Sequence, residues 1–121
     1  MTLETVLLLA WLISVSNAHG LDPALVKAVA DVESGVSEGF KTGPLNRRKT
    51  LWAPMGISTK CKVPGTRNAY RNIEIGVKAL VKHGARTDPK RALKKYNAEF
   101  TQSYYAAVMK KCRQYRKEGL R

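Results

Sequence analysis

The sequence predicts an all-α protein. Apolar residues recur at helical spacing in several separate stretches, two Asp-Pro pairs mark helix starts, and no stretch alternates apolar and polar as a half-buried strand does. With 121 residues the chain is long enough for one core and too short for two. One domain of short helices is therefore expected, with a long loop after the first helix of that domain.

The elements follow in order. "VLLLAWLISV", residues 6–15, is an apolar run too short to span a bilayer, and Ser16 and Ala18 supply the small residues of a cleavage site. Residues 1–18 are accordingly expected to be a secretory signal peptide cut after Ala18, leaving 19–121 as the domain. "MTLET" lacks the usual Lys or Arg, so a buried first helix or an uncleaved anchor is the alternative.

The next helix opens with Asp22 as N-cap and Pro23 at its first position, and ends near Ser34 and Gly35. Leu25, Val26, Val29 and Val32 share one face, with Lys27 and Asp31 opposite, where Asp31 is expected to meet water. Residues 36–71 hold most of the Gly and Pro and the basic run "NRRK", and predict a loop with room for one short helix. "NIEIGVKALVKHG" predicts a helix capped by Asn72, apolar at Ile73, Val77 and Leu80, and stopped by Gly84. Asp88 and Pro89 start another. "TQSYYAAVMKKCRQYRKEG" gives a last helix whose inner face carries Tyr104, Tyr105, Val108, Cys112 and Tyr115, the first two tyrosines read as core. Cys61 and Cys112, an even pair in a small exported chain, predict a disulfide, two buried thiols being the alternative. His19 and His83 show no ligand spacing with either, so no metal is expected.

Charge and the acids narrow the function. Lys and Arg number 22 against 9 acids, a net charge of +13, which predicts an anionic partner: nucleic acid, membrane surface or acidic polymer. Asp22 and Asp88 are caps, Asp31 faces solvent, Glu74 occupies a first helical turn, and Glu118 lies in a basic tail. Glu33, Glu38 and Glu99 have no such duty. Glu33 stands apart, four after Val29 on the apolar face and near a helix C-terminus. Desolvation and the helix dipole both favour its neutral form, so its pKa is expected to be raised. A carboxyl held protonated near neutrality suits a general acid for a poor leaving group such as a glycosidic oxygen. The alternative is a buried Glu paired with a Lys or Arg.

"AVADVESG" resembles the Glu-Ser motif of the soluble lytic transglycosylases, lysozyme-like enzymes that cut bacterial peptidoglycan. "APMGI" resembles the family's Gly-Leu-Met-Gln-Ile segment, "NIEIGVKAL" its Asn-Ile-x-x-Gly helix, and "ALKKYNAEFTQSYYAAVM" its Ala-Tyr-Asn block. The four blocks stand in the family's order across residues 21–112. The resemblance implies a compact lysozyme-like helical fold with the glycan in a groove and no cofactor. It implies that Glu33 protonates the bond between N-acetylmuramic acid and N-acetylglucosamine, then takes the proton of the muramic 6-hydroxyl as a 1,6-anhydro ring closes. Ser34 would orient Glu33 or an N-acetyl group, Tyr96 would lie over the acid, Asn97 would hold its loop, and Met55 and Ile57 would floor the cleft.

Three departures bear on that expectation. Gly56 stands where the family has Gln, Pro54 replaces Leu, and Glu99 follows "YNA" where Gly is common. If Glu99 or Glu38 holds a water, the same fold would hydrolyse the bond as a muramidase. The expected partners are peptidoglycan glycan strands, with a secretion, conjugation or pilus assembly as the process served, and the chain is expected to be an exported monomer. The rivals are a basic nucleic-acid-binding module, drawn as a helix-turn-helix through residues 72–97, and a membrane-active protein acting through its last helix. Both leave Glu33 without a role, and export and the cysteine pair argue against nucleic acid.

Overall fold

The computed structural model describes residues 3–34, 69–97 and 100–120. Glu38, Met55, Gly56, Ile57, Cys61 and Glu99 lie outside the described residues. Within them the chain is all-helical: α1 (Leu3–Ala18), α2 (Pro23–Ser34), α3 (Ala69–Lys82), α4 (Pro89–Tyr96) and α5 (Gln102–Lys117).

Local chemistry sets most of these boundaries. The Asp22 carboxylate accepts from Ala24 N at 2.9 Å, and Pro23 follows with a φ already suited to the first turn. Asp88 caps α4 in the same way, accepting from Arg91 N at 3.1 Å ahead of Pro89. Thr101 caps α5 through Tyr104 N at 3.0 Å. Gly84 ends the turn after α3 with φ +90°, and the pair Gly84 N to Val81 O and Ala85 N to Leu80 O closes the helix as a Schellman motif. Gly20, at φ +67°, closes α1 through the same pair of bonds, to Asn17 O and Ser16 O.

Packing is built around α2. It lies against both α1 and α5, while α3 joins α1 to α4. The core gathers Leu8 and Leu12 of α1, Val26 and Val29 of α2, Ile73 and Val77 of α3, with Leu93 of α4 and Val108 of α5. α5 runs back along α2. Its first turn meets the end of α2 where Tyr104 reaches Glu33, and its last turn meets the start of α2 where Arg116 Nε sits 2.7 Å from Asp22.

The structure corrects three expectations. Asp31 does not face water: it is 2% exposed, and Lys27 3%, because α5 covers the side of α2 that a single helical wheel leaves open. Lys27 Nζ lies 2.6 Å from Asp31, and the Tyr115 hydroxyl donates to the other oxygen of Asp31. Burial lowers the Lys27 pKa, against the pull of Asp31, which raises it. Asn72 does not cap α3, which is already helical at Ala69; it is a fully buried residue within the helix. Glu74, in consequence, is not in a first turn but lies between Arg71 at 3.0 Å and Lys78 at 3.1 Å.

In the full chain residues 3–18 form a helix packed in the core. Leu8, Leu12 and Ser16 are 1% exposed or less. Trp11 Nε1 donates to Tyr70 O at 2.9 Å and its ring meets that of Tyr70 edge-on. Arg86 Nε donates to His19 O at 2.8 Å, fastening the end of α1 to the turn after α3. Among the described residues no helix is long and apolar enough to cross a membrane. Cys112 is buried with a free thiol, and burial raises its pKa; its expected partner Cys61 is outside the described residues.

Candidate active site

The site is assembled where three chain segments converge on the end of α2. Glu33 is the penultimate residue of that helix, half-buried on the side predicted from its spacing to Val29. α4 ends at Tyr96, and Asn97 follows with extended backbone as its C-cap. The chain then enters α5, whose Thr101 cap sets Tyr104 in the first turn.

Tyr104 donates its hydroxyl to Glu33 Oε2 at 2.7 Å, a contact between residues 71 apart in sequence. The Asn97 side chain in turn hydrogen-bonds the Tyr104 oxygen, in the sense that favours a phenolate. The Phe100 ring backs Tyr104 edge-on, centroids 5.8 Å apart.

Electrostatics favour a neutral acid at this point. Burial raises the Glu33 pKa above the ordinary glutamate range, with the Tyr104 hydrogen bond pulling the other way. The C-terminal end of the α2 dipole adds to the cost of charge there. No Lys or Arg forms an ion pair with Glu33 among the described residues. Tyr96 and Tyr104 both have pKa values raised well above that of a free tyrosine, by burial first and by the neighbouring Glu33 second. Both phenols remain protonated, as hydrogen-bond donors require.

Of the residues singled out in the sequence, Glu33 lies at the end of α2, Tyr96 at the end of α4, where the Glu33 charge helps raise its pKa, and Asn97 directly after it. Ser34 is the last residue of α2, directly after Glu33. Met55, Gly56 and Ile57, with the two further acids Glu38 and Glu99, lie outside the described residues. Tyr104 is the residue that sequence reasoning placed in the core. It does pack against the core from the inner face of the last helix, and its hydroxyl also meets the Glu33 carboxyl. Among the described residues no group of three His, Cys, Asp or Glu side chains is placed to hold a metal ion.

What the arrangement can do follows from its protonation. Tyr104 occupies Oε2, and the described residues leave Oε1 to carry the proton when the carboxyl is neutral. A carboxyl with a raised pKa gives that proton to an oxygen leaving group, and its conjugate base, desolvated but hydrogen-bonded, can take one back. No protein-family model, no curated protein and no solved structure matches this chain.

Proposed function

We propose that this chain is a lytic transglycosylase with a lysozyme-like fold, cleaving peptidoglycan between N-acetylmuramic acid and N-acetylglucosamine. The observation that carries this is the environment of Glu33: a half-buried carboxyl with a raised pKa, no ion-pair partner among the described residues, and a tyrosine hydroxyl on one oxygen. The Glu33 charge, felt by both Tyr96 and Tyr104, supports the same reading.

Glu33 gives its Oε1 proton to the glycosidic oxygen as that oxygen leaves C1 of the muramic residue. The resulting carboxylate removes the proton from the 6-hydroxyl of the same sugar as O6 bonds to C1. Glu33 is protonated again, no water is consumed, and the products are a free N-acetylglucosamine 4-hydroxyl and a 1,6-anhydro end. Tyr104 serves both states, donating to Oε2 whether or not Oε1 carries a proton. A single carboxyl is sufficient for this sequence of steps.

Export of the chain, action as a monomer, and service to a secretion, conjugation or pilus assembly complete the proposal. The net charge of +13 fits a polymer bearing carboxylates and phosphates. The test is mass spectrometry of soluble fragments released by the full chain from purified peptidoglycan, alongside Glu33→Gln. Fragments ending in 1,6-anhydromuramic acid, absent with the variant, are the expected result. Reducing ends would assign a hydrolytic muramidase and require a second acid. Release unaffected by Glu33→Gln would overturn the role of this residue.

A further inference from the structure

The surface formed by α4 and the start of α5 has a composition that proton transfer at Glu33 does not account for. Lys90, Arg91, Lys94 and Lys95 are all exposed on α4. Lys90 and Lys94, one helical turn apart, have no carboxylate partner among the described residues. Each is instead set against an aromatic ring. Lys90 Nζ lies 5.2 Å from the centroid of Tyr105, and Lys94 Nζ 5.8 Å from that of Phe100.

These rings connect to the acid. Phe100 and Tyr105 are tilted neighbours at 6.2 Å, and Phe100 meets Tyr104 at 5.8 Å. Tyr104 holds Glu33. A continuous strip thus runs from the carboxyl, across Tyr104 and Phe100, to two ammonium groups at its outer edge. Aromatic rims suit the apolar faces of sugar rings. An ammonium resting on a ring is positioned in advance, so an arriving anion orders less side chain than it would on a free lysine.

We propose that this strip binds carboxylate groups carried by the glycan beside the bond that Glu33 cleaves, an inference that rests on the glycan-cleaving function above. The layout distinguishes that ligand from nucleic acid. A phosphodiester chain bears an anion at every step and would lay one against the half-buried Glu33 carboxyl, beside which no Lys or Arg forms an ion pair among the described residues. A glycan whose carboxylates hang on the substituents of alternate sugars can set an uncharged ring face at the acid and carry its anions outward to the lysines. Lys90 and Lys94 therefore set substrate class, favouring acidic glycan over a neutral N-acetylglucosamine polymer.

The test uses the full chain, with Lys90→Gln/Lys94→Gln and Lys90→Arg/Lys94→Arg, on native peptidoglycan and on peptidoglycan whose carboxyls are capped as neutral amides. Sedimentation with the wall at low salt reads binding, and initial rates separate KM from kcat. The Gln pair should weaken binding and raise KM by about tenfold on native wall. It should leave kcat unchanged and match the wild type on capped wall, and the Arg pair should behave as wild type. An unchanged KM for the Gln pair, or an equal loss on capped wall, overturns the proposal. So does lysine-dependent binding found only with a thymidine oligonucleotide. Lysine- and carboxyl-dependent sedimentation without fragment release would support the strip and refute the catalytic function; release without lysine dependence would do the reverse.

Discussion

Removing residues 1–18 should unfold the domain. Leu8, Leu12 and Val15 of α1 are at most 7% exposed, and each buried aliphatic side chain contributes roughly 1.5–3 kcal/mol. The three together amount to roughly 5–9 kcal/mol, comparable with the net stability of about 5–15 kcal/mol typical of a domain. The Trp11 bond to Tyr70 O adds about 1 kcal/mol. Far- and near-ultraviolet circular dichroism of residues 1–121 and 19–121, followed through thermal unfolding, measures the difference. The shorter chain should lack a cooperative transition. Leu12→Ala in the full chain provides a graded check, with a loss of about 2–5 kcal/mol and a midpoint lowered by roughly 10 °C. A chain of residues 19–121 with the midpoint and near-ultraviolet spectrum of the full chain would refute this reasoning. The packing of α1 would then be dispensable and cleavage after Ala18 harmless to the fold.

Three further outcomes are expected. Glu33→Gln should stabilise the protein at neutral pH: the folded carboxyl has a raised pKa, so its contribution is present below the unfolded value, about 4.3, and is lost as pH rises through the folded one. Thermal midpoints should therefore converge near pH 4 and diverge upward, and a variant less stable at pH 7 than at pH 4 relative to wild type would contradict the shift. Tyr104→Phe removes a hydrogen bond to a charged acceptor, worth roughly 1.5–3 kcal/mol, and so should raise the Glu33 pKa further. The alkaline limb of kcat/KM should move to higher pH while the maximum rate falls, whereas a limb that stays in place would dissociate Tyr104 from the acid. Lys27→Met leaves Asp31 buried without its cation and should cost about 3–5 kcal/mol in chemical denaturation. A loss below about 1 kcal/mol, the range of exposed pairs, would show that α5 does not seal this pair from water.

The parts of the fold legible in sequence are those decided by neighbours in the chain. Asp22 with Pro23, Asp88 with Pro89, and Gly84 each act within about one helical turn, so their positions predict the boundaries found. Glu33 was legible for a related reason, since its spacing from Val29 alone puts it on a buried side. Lys27 and Asp31 were not, because the helix covering them arrives from the far end of the chain and Tyr115 lies 84 residues from Asp31. Tyr104 packs against the core as its spacing predicts, but helical spacing reports that a side faces inward, not that a carboxyl waits there. α1 resisted assignment because an apolar run without a polar side has the same composition whether it is discarded after export or buried in a core.

The matched grip of α5 on α2 makes activity conditional on folding. Tyr104 meets Glu33 at one end and Arg116 meets Asp22 at the other, so sliding either helix by one turn, about 5.4 Å, would break both contacts at once. Before that alignment is reached, Glu33 is an ordinary solvated glutamate, ionised at neutral pH with no proton to give. On the proposed function, a chain travelling unfolded through the cell that makes it carries no acid catalyst, and the wall becomes vulnerable only where the two helices have come to rest.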